Sequence, residues 1–168
     1  MYILSVNAFG LITYFNGPHL GSQQDLGAFR DSNIRPAFEQ TFKRFNIPLH
    51  EFAKIGDKIF VPRRPCFLAL LKNPVPVDQE EFERIESTCR TCVEWVNGKI
   101  TENWKYITYK SQLKVQLSDV AVHIVVAAIL TNAFTLCNGG QTANYFSDSE
   151  GNPFGMEIPT LEEWFEII

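Results

Sequence analysis

The run from Val120 to Leu130 constrains the fold more than any other part of the chain. It is apolar apart from His123, and Thr131 and Asn132 follow it directly. Its eleven residues fall short of the roughly 18–20 that a bilayer crossing needs. The wider pattern predicts a helix over Lys114–Cys137, ended by Asn138-Gly139-Gly140. A helix this uniformly apolar is expected to be buried on all sides, so strands and other helices must surround it, and no membrane partner is implied.

The surrounding elements can be read from spacing. Tyr2–Asn7 and Leu11–Phe15 alternate as two short strands joined at Ala8-Phe9-Gly10. A Gly/Pro-rich loop, Asn16 to Ser22, precedes a helix expected to begin near Gln23, with Ser22 as its cap and Asp25 three residues on. Arg35–Phe45 carries Phe38, Phe42 and Phe45 at helical spacing. Phe52–Ile55 is a short apolar run that stops at Gly56-Asp57, as a strand before a tight turn does. Four prolines make 62–77 an irregular connection. From Gln79 to Asn103, one stripe of Phe82, Ile85, Cys89, Cys92 or Val93, Val96 and Ile100 predicts a long amphipathic helix. A short helix over Leu161–Phe165, capped by Thr160, interrupts an otherwise loosely held tail. Strands first and helices later fit an α/β or α+β layered fold.

Charge separates the tail from the body. The 168 residues carry a net charge of −4. Six acids and no Lys or Arg lie between Asp148 and Ile168, which leaves thirteen acids against fifteen basic residues before them. The expected organisation is therefore a domain over 1–137 and an acidic tail over 138–168. A chain that grips nucleic acid over its whole surface is excluded. Four cysteines in a chain of this length do not make a disulfide scaffold, and the first residues lack the basic and apolar regions of a signal peptide, so a reducing, intracellular location is expected.

Three acids stand out by position. Asp25 follows the Gly-Ser loop, Asp57 follows a strand end, and Glu94 lies within the long helix. Two-metal phosphoryl chemistry uses carboxylates from strand ends and a crossing helix to hold two cations about 4 Å apart. Each acid also has an ordinary reading: Asp25 as a helix-start residue, Asp57 as a turn former, Glu94 as a surface acid pairing with Arg90 at i−4.

Their order and surroundings resemble the Harbinger-type DDE transposases, a branch of the RNase H-like nucleases. That family shows a Gly-Ser loop ending in His-Asp, then Gly-Asp-Ser-Gly-Tyr, then Val-Glu-Arg-x-Phe-Gly, then an apolar helix with an Asn-rich end. This chain has Gly21-Ser22-Gln23-Gln24-Asp25, then Ile55-Gly56-Asp57, then, after 36 intervening residues, Cys92-Val93-Glu94, and later Leu130-Thr131-Asn132. The resemblance implies an α/β, RNase H-like sheet flanked by helices and cleavage of DNA phosphodiesters with Mg²⁺ or Mn²⁺. It implies Asp57 and Glu94 as catalytic ligands, and Asp25 as a third ligand or a helper. It further implies DNA as partner, a separate DNA-binding protein for target recognition, and a nuclear location if the source is eukaryotic.

Departures from the pattern are equally specific. Gln24 stands for the His, Ile59-Phe60 for the Gly-Tyr, Trp95 for the Arg after the glutamate, and Asn97 for the Phe. Residues 1–24 contain no Asp or Glu, whereas the resemblance implies a first catalytic Asp on a central strand ahead of the Gly-Ser loop. The expectation is a sheet truncated at that strand and a chain inactive by itself. The alternative is a non-catalytic, transposase-derived interaction module.

Other motifs are weaker. Cys89-Arg90-Thr91-Cys92 lacks further ligands at zinc spacing and sits mid-helix, so core packing is expected. His19, His50 and His123 share no ligand spacing, and His123 is expected to be buried and hydrogen-bonded. Lys99, Lys105, Lys110 and Lys114, interleaved with Trp104, Tyr106 and Tyr109, fit either a DNA-backbone track with stacking or a solvated helix end.

Overall fold

The computed structural model describes residues 1–48, 54–56, 67–69, 77–108, 119–140, 142, 144 and 158–167. In order, the elements are strands β1 (Ile3–Val6) and β2 (Ile12–Asn16) and helices α1 (Asp25–Asp31) and α2 (Ile34–Arg44). Strands β3 (Lys54–Gly56) and β4 (Phe67–Ala69) follow, then helix α3 (Val77–Asn103), a 3-10 turn at Lys105–Thr108, and helices α4 (Val120–Asn138) and α5 (Leu161–Ile167). Helices and small two-stranded sheets together give a mixed α/β chain. It divides into two compact units, one of Met1–Ile3 with Asn16–Thr91, the other of Leu4–Phe15 with Cys92–Ile168.

The β1–β2 hairpin forms where the alternation predicts it. Asn7 organises the turn: its Oδ1 accepts from Phe9 N at 3.1 Å and Leu11 N at 3.0 Å. Gly10 takes φ +78°, which an L side chain rarely adopts. Ser5 and Thr13 hydroxyls meet across the strands at 3.1 Å.

In the first unit, α1 begins at Asp25 with Gln24 as its cap residue, not at Gln23 after Ser22. The reason is local: Gln23 N donates to Leu20 O, which keeps Gly21-Ser22 in a turn. Asn33, at φ 54°, breaks α1 from α2, a left-handed position that Asn tolerates. At the other end of α2, Asn46 is again left-handed, and bonds from Ile47 N to Phe42 O and from Asn46 N to Lys43 O close a Schellman motif. Ala28, Ile34 and Phe42 are buried, and the Phe38 ring packs on Phe42 with centroids 4.4 Å apart. Phe45, expected on the same stripe, is instead exposed under the Arg44 guanidinium.

Strands β3 and β4 pair in parallel, Ile55 opposite Leu68. β4 lies inside the stretch expected to be irregular. Its three residues carry too little local signal against four prolines, and pairing with β3, thirteen positions earlier, decides the matter. Phe52, Pro62 and Pro65 lie outside the described residues.

The core of the second unit is built by α3, α4 and the hairpin. Cys92, Val96 and Ile100 recur every four residues on α3 and are buried. Val96, Ile100, Ile12, Ala127 and Ala128 form one cluster, with Leu4, Val6, Phe15, Trp104 and Ile107 packed around it. Burying a side chain such as Val96 contributes about 1.5–3 kcal/mol.

α4 overturns one expectation. It is not buried all round: its inner face is Ala127, Ala128, Thr131, Asn132 and Thr135. Val122, Val125, Val126, Ile129, Leu130 and Phe134 are exposed. Small and polar residues face inward because the neighbours come close enough to bond them. Asn132 Oδ1 accepts from Ile12 N at 2.8 Å, and Asn132 Nδ2 donates to Ile12 O at 2.9 Å. Trp104 Nε1 donates to Thr131 Oγ1 at 2.9 Å, and that hydroxyl donates to Ala127 O. By length and composition the 19-residue α4 could cross a membrane: the mean hydropathy of its most apolar 18 residues is 2.1. Asp119 caps its start through Val122 N, and the helix ends at Gly139, φ +76°. Residues 114–118 of the expected helix lie outside the described residues.

α5 is closed by a capping box: Glu163 Oε2 accepts from Thr160 N at 2.8 Å and from Thr160 Oγ1 at 3.0 Å, while Glu163 N donates to Thr160 Oγ1 at 3.2 Å.

Two outcomes follow from these contacts. Asn132→Ala leaves the Ile12 N–H and C=O buried without partners and is expected to lower unfolding free energy by about 2–4 kcal/mol in denaturant titration. Asn132→Asp, which can accept but not donate, should lose a comparable amount. The bonds from Thr160 hold the Glu163 carboxyl below its ordinary value of 4.5. Because the folded value is depressed, the cap's contribution is complete at neutral pH and disappears as pH falls through that lowered value. An NMR titration should show the Glu163 midpoint rising towards the ordinary value in Thr160→Val.

Candidate functional site

Asp25 is positioned by the loop that leads into α1. The chain start and this loop hold each other: the Met1 amine donates to His19 O at 2.9 Å, and His19 N donates to Met1 O at 2.7 Å. Gly17 lies against Tyr2, where a Cβ would stand 2.5 Å from the ring. Gln23 Nε2 then spans α1 to reach Asp31 Oδ2 at 2.6 Å. Asp25 is thus the first residue of a seven-residue helix, exposed, where the helix dipole favours a negative charge.

Asp57 directly follows β3, which ends at Gly56 as the sequence implies. The residue itself lies outside the described residues. Glu94 lies within α3, as expected, and is exposed. It is two positions from both Cys92 and Val96, about 200° around the helix from each. Those two are buried, so Glu94 lies on the face turned away from the hydrophobic stripe.

Asp25 falls in the first compact unit and Glu94 in the second. Among the described residues, no three His, Cys, Asp or Glu side chains gather as a cation would require. A divalent ion needs oxygens at about 2.0–2.6 Å. The described carboxylates therefore do not by themselves make a ligand set.

The candidate stacking track is also partly reassigned. Trp104 is half-buried, with its N–H bonded to Thr131, and belongs to the core. Tyr106 is 48% exposed, and its ring meets His123 edge-on at 5.2 Å. Lys105 is exposed and Lys99 half-buried, whereas Tyr109, Lys110 and Lys114 lie outside the described residues. His123 is half-buried, and its buried Nδ1 has no hydrogen-bond partner, against the expectation of a satisfied core histidine. Cys92 is a buried core residue in no disulfide, as expected.

Sequence reading missed the role of Asn132. Its signal was present: with Ala128, Thr131 and Thr135 it places small or polar residues on one helical face within an apolar run.

Residues 1–132 match the family of DDE superfamily endonucleases. The chain belongs to that family. No curated relative and no solved structure matches it.

Because Asp25 and Glu94 are exposed, Asp25→Asn and Glu94→Gln should each change stability by less than about 0.5 kcal/mol in thermal melts. A loss several times larger would give the carboxylate a structural role.

Proposed function

We propose that this chain carries a divalent-metal-dependent DNA endonuclease domain of the Harbinger-type DDE transposases, with an RNase H-like fold. The observation that carries the reading is the family match over residues 1–132, within which the Gly-Ser loop before Asp25, Gly56-Asp57 and Val93-Glu94 occur in order. In this reading the nuclease part spans 1–137, and 138–168 is an acidic tail. Asp57 and Glu94 are the catalytic carboxylates, and Asp25 is a third ligand for Mg²⁺ or Mn²⁺. DNA is the substrate, a separate DNA-binding protein supplies target choice, and the site of action is inside the cell, in the nucleus of a eukaryote.

These 168 residues are proposed to be inactive by themselves. The 24 residues before Asp25 hold no carboxylate side chain, and the resemblance calls for one more metal ligand on a strand ahead of the Gly-Ser loop. A second reading, a non-catalytic module that binds DNA or protein, is favoured by three features. Glu94 lies on the outward face of α3, Gln24 stands where the pattern has His, and Trp95 stands where it has Arg.

One set of assays separates these readings. Purified protein incubated with plasmid DNA and Mg²⁺ or Mn²⁺ is expected to show negligible nicking. Robust cleavage lost in Asp57→Ala would refute the proposed inactivity while supporting the ligand assignment. Calorimetry with Mn²⁺ alone provides the other arm: weak binding abolished by Asp57→Ala and Glu94→Gln supports shared ligation. Mn²⁺ binding that ignores both substitutions, or none at all, favours the non-catalytic module.

A further inference from the structure

We propose that the C-terminal end of α4, where it meets the turn of the β1–β2 hairpin, binds an alkali-metal cation through hydroxyl and carbonyl oxygens. Thr135 and Thr142 are each 1% exposed, and neither hydroxyl has a hydrogen-bond partner. Both side chains lie at the same turn. A Cβ on Gly10 would stand 2.7 Å from Thr142 Oγ1, and one on Gly140 would stand 2.5 Å from Phe9 O and 3.2 Å from Thr135 Cγ2. Two hydroxyls and a backbone carbonyl therefore gather where glycines at two positions admit no side chain.

Thr135 departs from the habit of the other helical threonines. Thr41, Thr91, Thr101 and Thr131 each donate to the carbonyl four residues earlier, which satisfies the hydroxyl within its own helix. Thr135 makes no such bond. Leaving a buried hydroxyl unpaired is costly, and two at one turn call for a ligand that both can meet.

Charge selects that ligand. The carbonyls of the last turn carry the negative end of the α4 dipole, and Phe9 O adds a further partial negative charge, so an anion is repelled and a cation attracted. The segments that build the site bring no cation of their own: no Lys or Arg occurs in residues 1–29 or 115–168. A divalent ion calls for carboxylates, whereas the oxygens here are neutral, the donor set that suits K⁺ or Na⁺. Each hydroxyl hydrogen can rotate aside so that Oγ1 presents a lone pair to the ion. The site shares no residue with the carboxylates Asp25, Asp57 and Glu94.

Thermal melts of the full chain in KCl, NaCl and tetramethylammonium chloride, at equal concentration, test the proposal with anion and ionic strength held constant. K⁺ or Na⁺ is expected to raise Tm by about 2–5 °C over tetramethylammonium, which is too bulky to enter. Thr135→Val and Thr142→Val keep the shape, remove the oxygen and should abolish the rise, whereas Thr135→Ser retains it. Should a valine variant fail to fold, Thr142→Ala takes its place with the same expectation. Thallous ion, an NMR-visible stand-in for K⁺, gives a direct reading: a bound resonance that K⁺ displaces and that Thr135→Val lacks. A Tm indifferent to the cation overturns the proposal and leaves a buried water as the partner of the two hydroxyls. So does a rise that survives the loss of both.

Discussion

The second unit turns on a two-point bond between Asn132 and the backbone of Ile12. One amide side chain, 120 residues away in sequence, satisfies both polar groups of a strand residue that is 7% exposed. An unpaired buried N–H or C=O costs about 1–3 kcal/mol, so this contact fixes which face of α4 meets β2. Thr131, one residue earlier, holds Trp104 and so ties in the end of α3. Gly140 completes the approach after the helix ends: a Cβ there would stand 2.5 Å from the Phe9 carbonyl, so the chain passes the hairpin turn too closely for any side chain. The compactness of the unit depends on these short contacts as much as on apolar area.

The candidate carboxylates stand apart from that framework. Asp25 opens a short helix and Glu94 rides the outer face of a long one, both in contact with solvent. Exposed acids cost little to keep and little to lose, which is why their identity says more about chemistry than about stability. Membership in the DDE endonuclease family gives their order meaning. The departures around them, Gln24 and Trp95 above all, change the polar surroundings in which such carboxylates would work. Trp95, at 38% exposure, lies beside the buried stripe of α3 and not in it.

Much of the fold was legible. The hairpin, α2, the long α3 and the capped α5 follow from alternation, from four-residue recurrence and from Thr160 with Glu163. Three features were not. β4 has only three residues, and it is held by parallel pairing with β3, thirteen positions earlier. The start of α1 depends on a turn bond from Gln23 that shifts the first helical residue by two. The facing of α4 was misjudged because hydrophobicity alone ranks its valines above its threonines and asparagine for burial. Of the candidate site, the secondary-structure setting of Asp25 and Glu94 was legible, and the exposure of Glu94 matches the surface-acid reading the sequence offered beside the ligand one.

The sequence by itself determined where the hairpin and most of the helices form, because those depend on neighbours one to four residues apart. It also fixed the order of the three acids, and the match over residues 1–132 gives the family. Tertiary structure alone decided which side of α4 turns inward. A face of Ala, Thr and Asn lets backbones approach within hydrogen-bond reach, and a face of Val, Ile and Leu holds them apart. The small, polar stripe of α4 is visible in the sequence, but its partner 120 positions away leaves no mark in local periodicity, so only the folded chain reveals what that face meets.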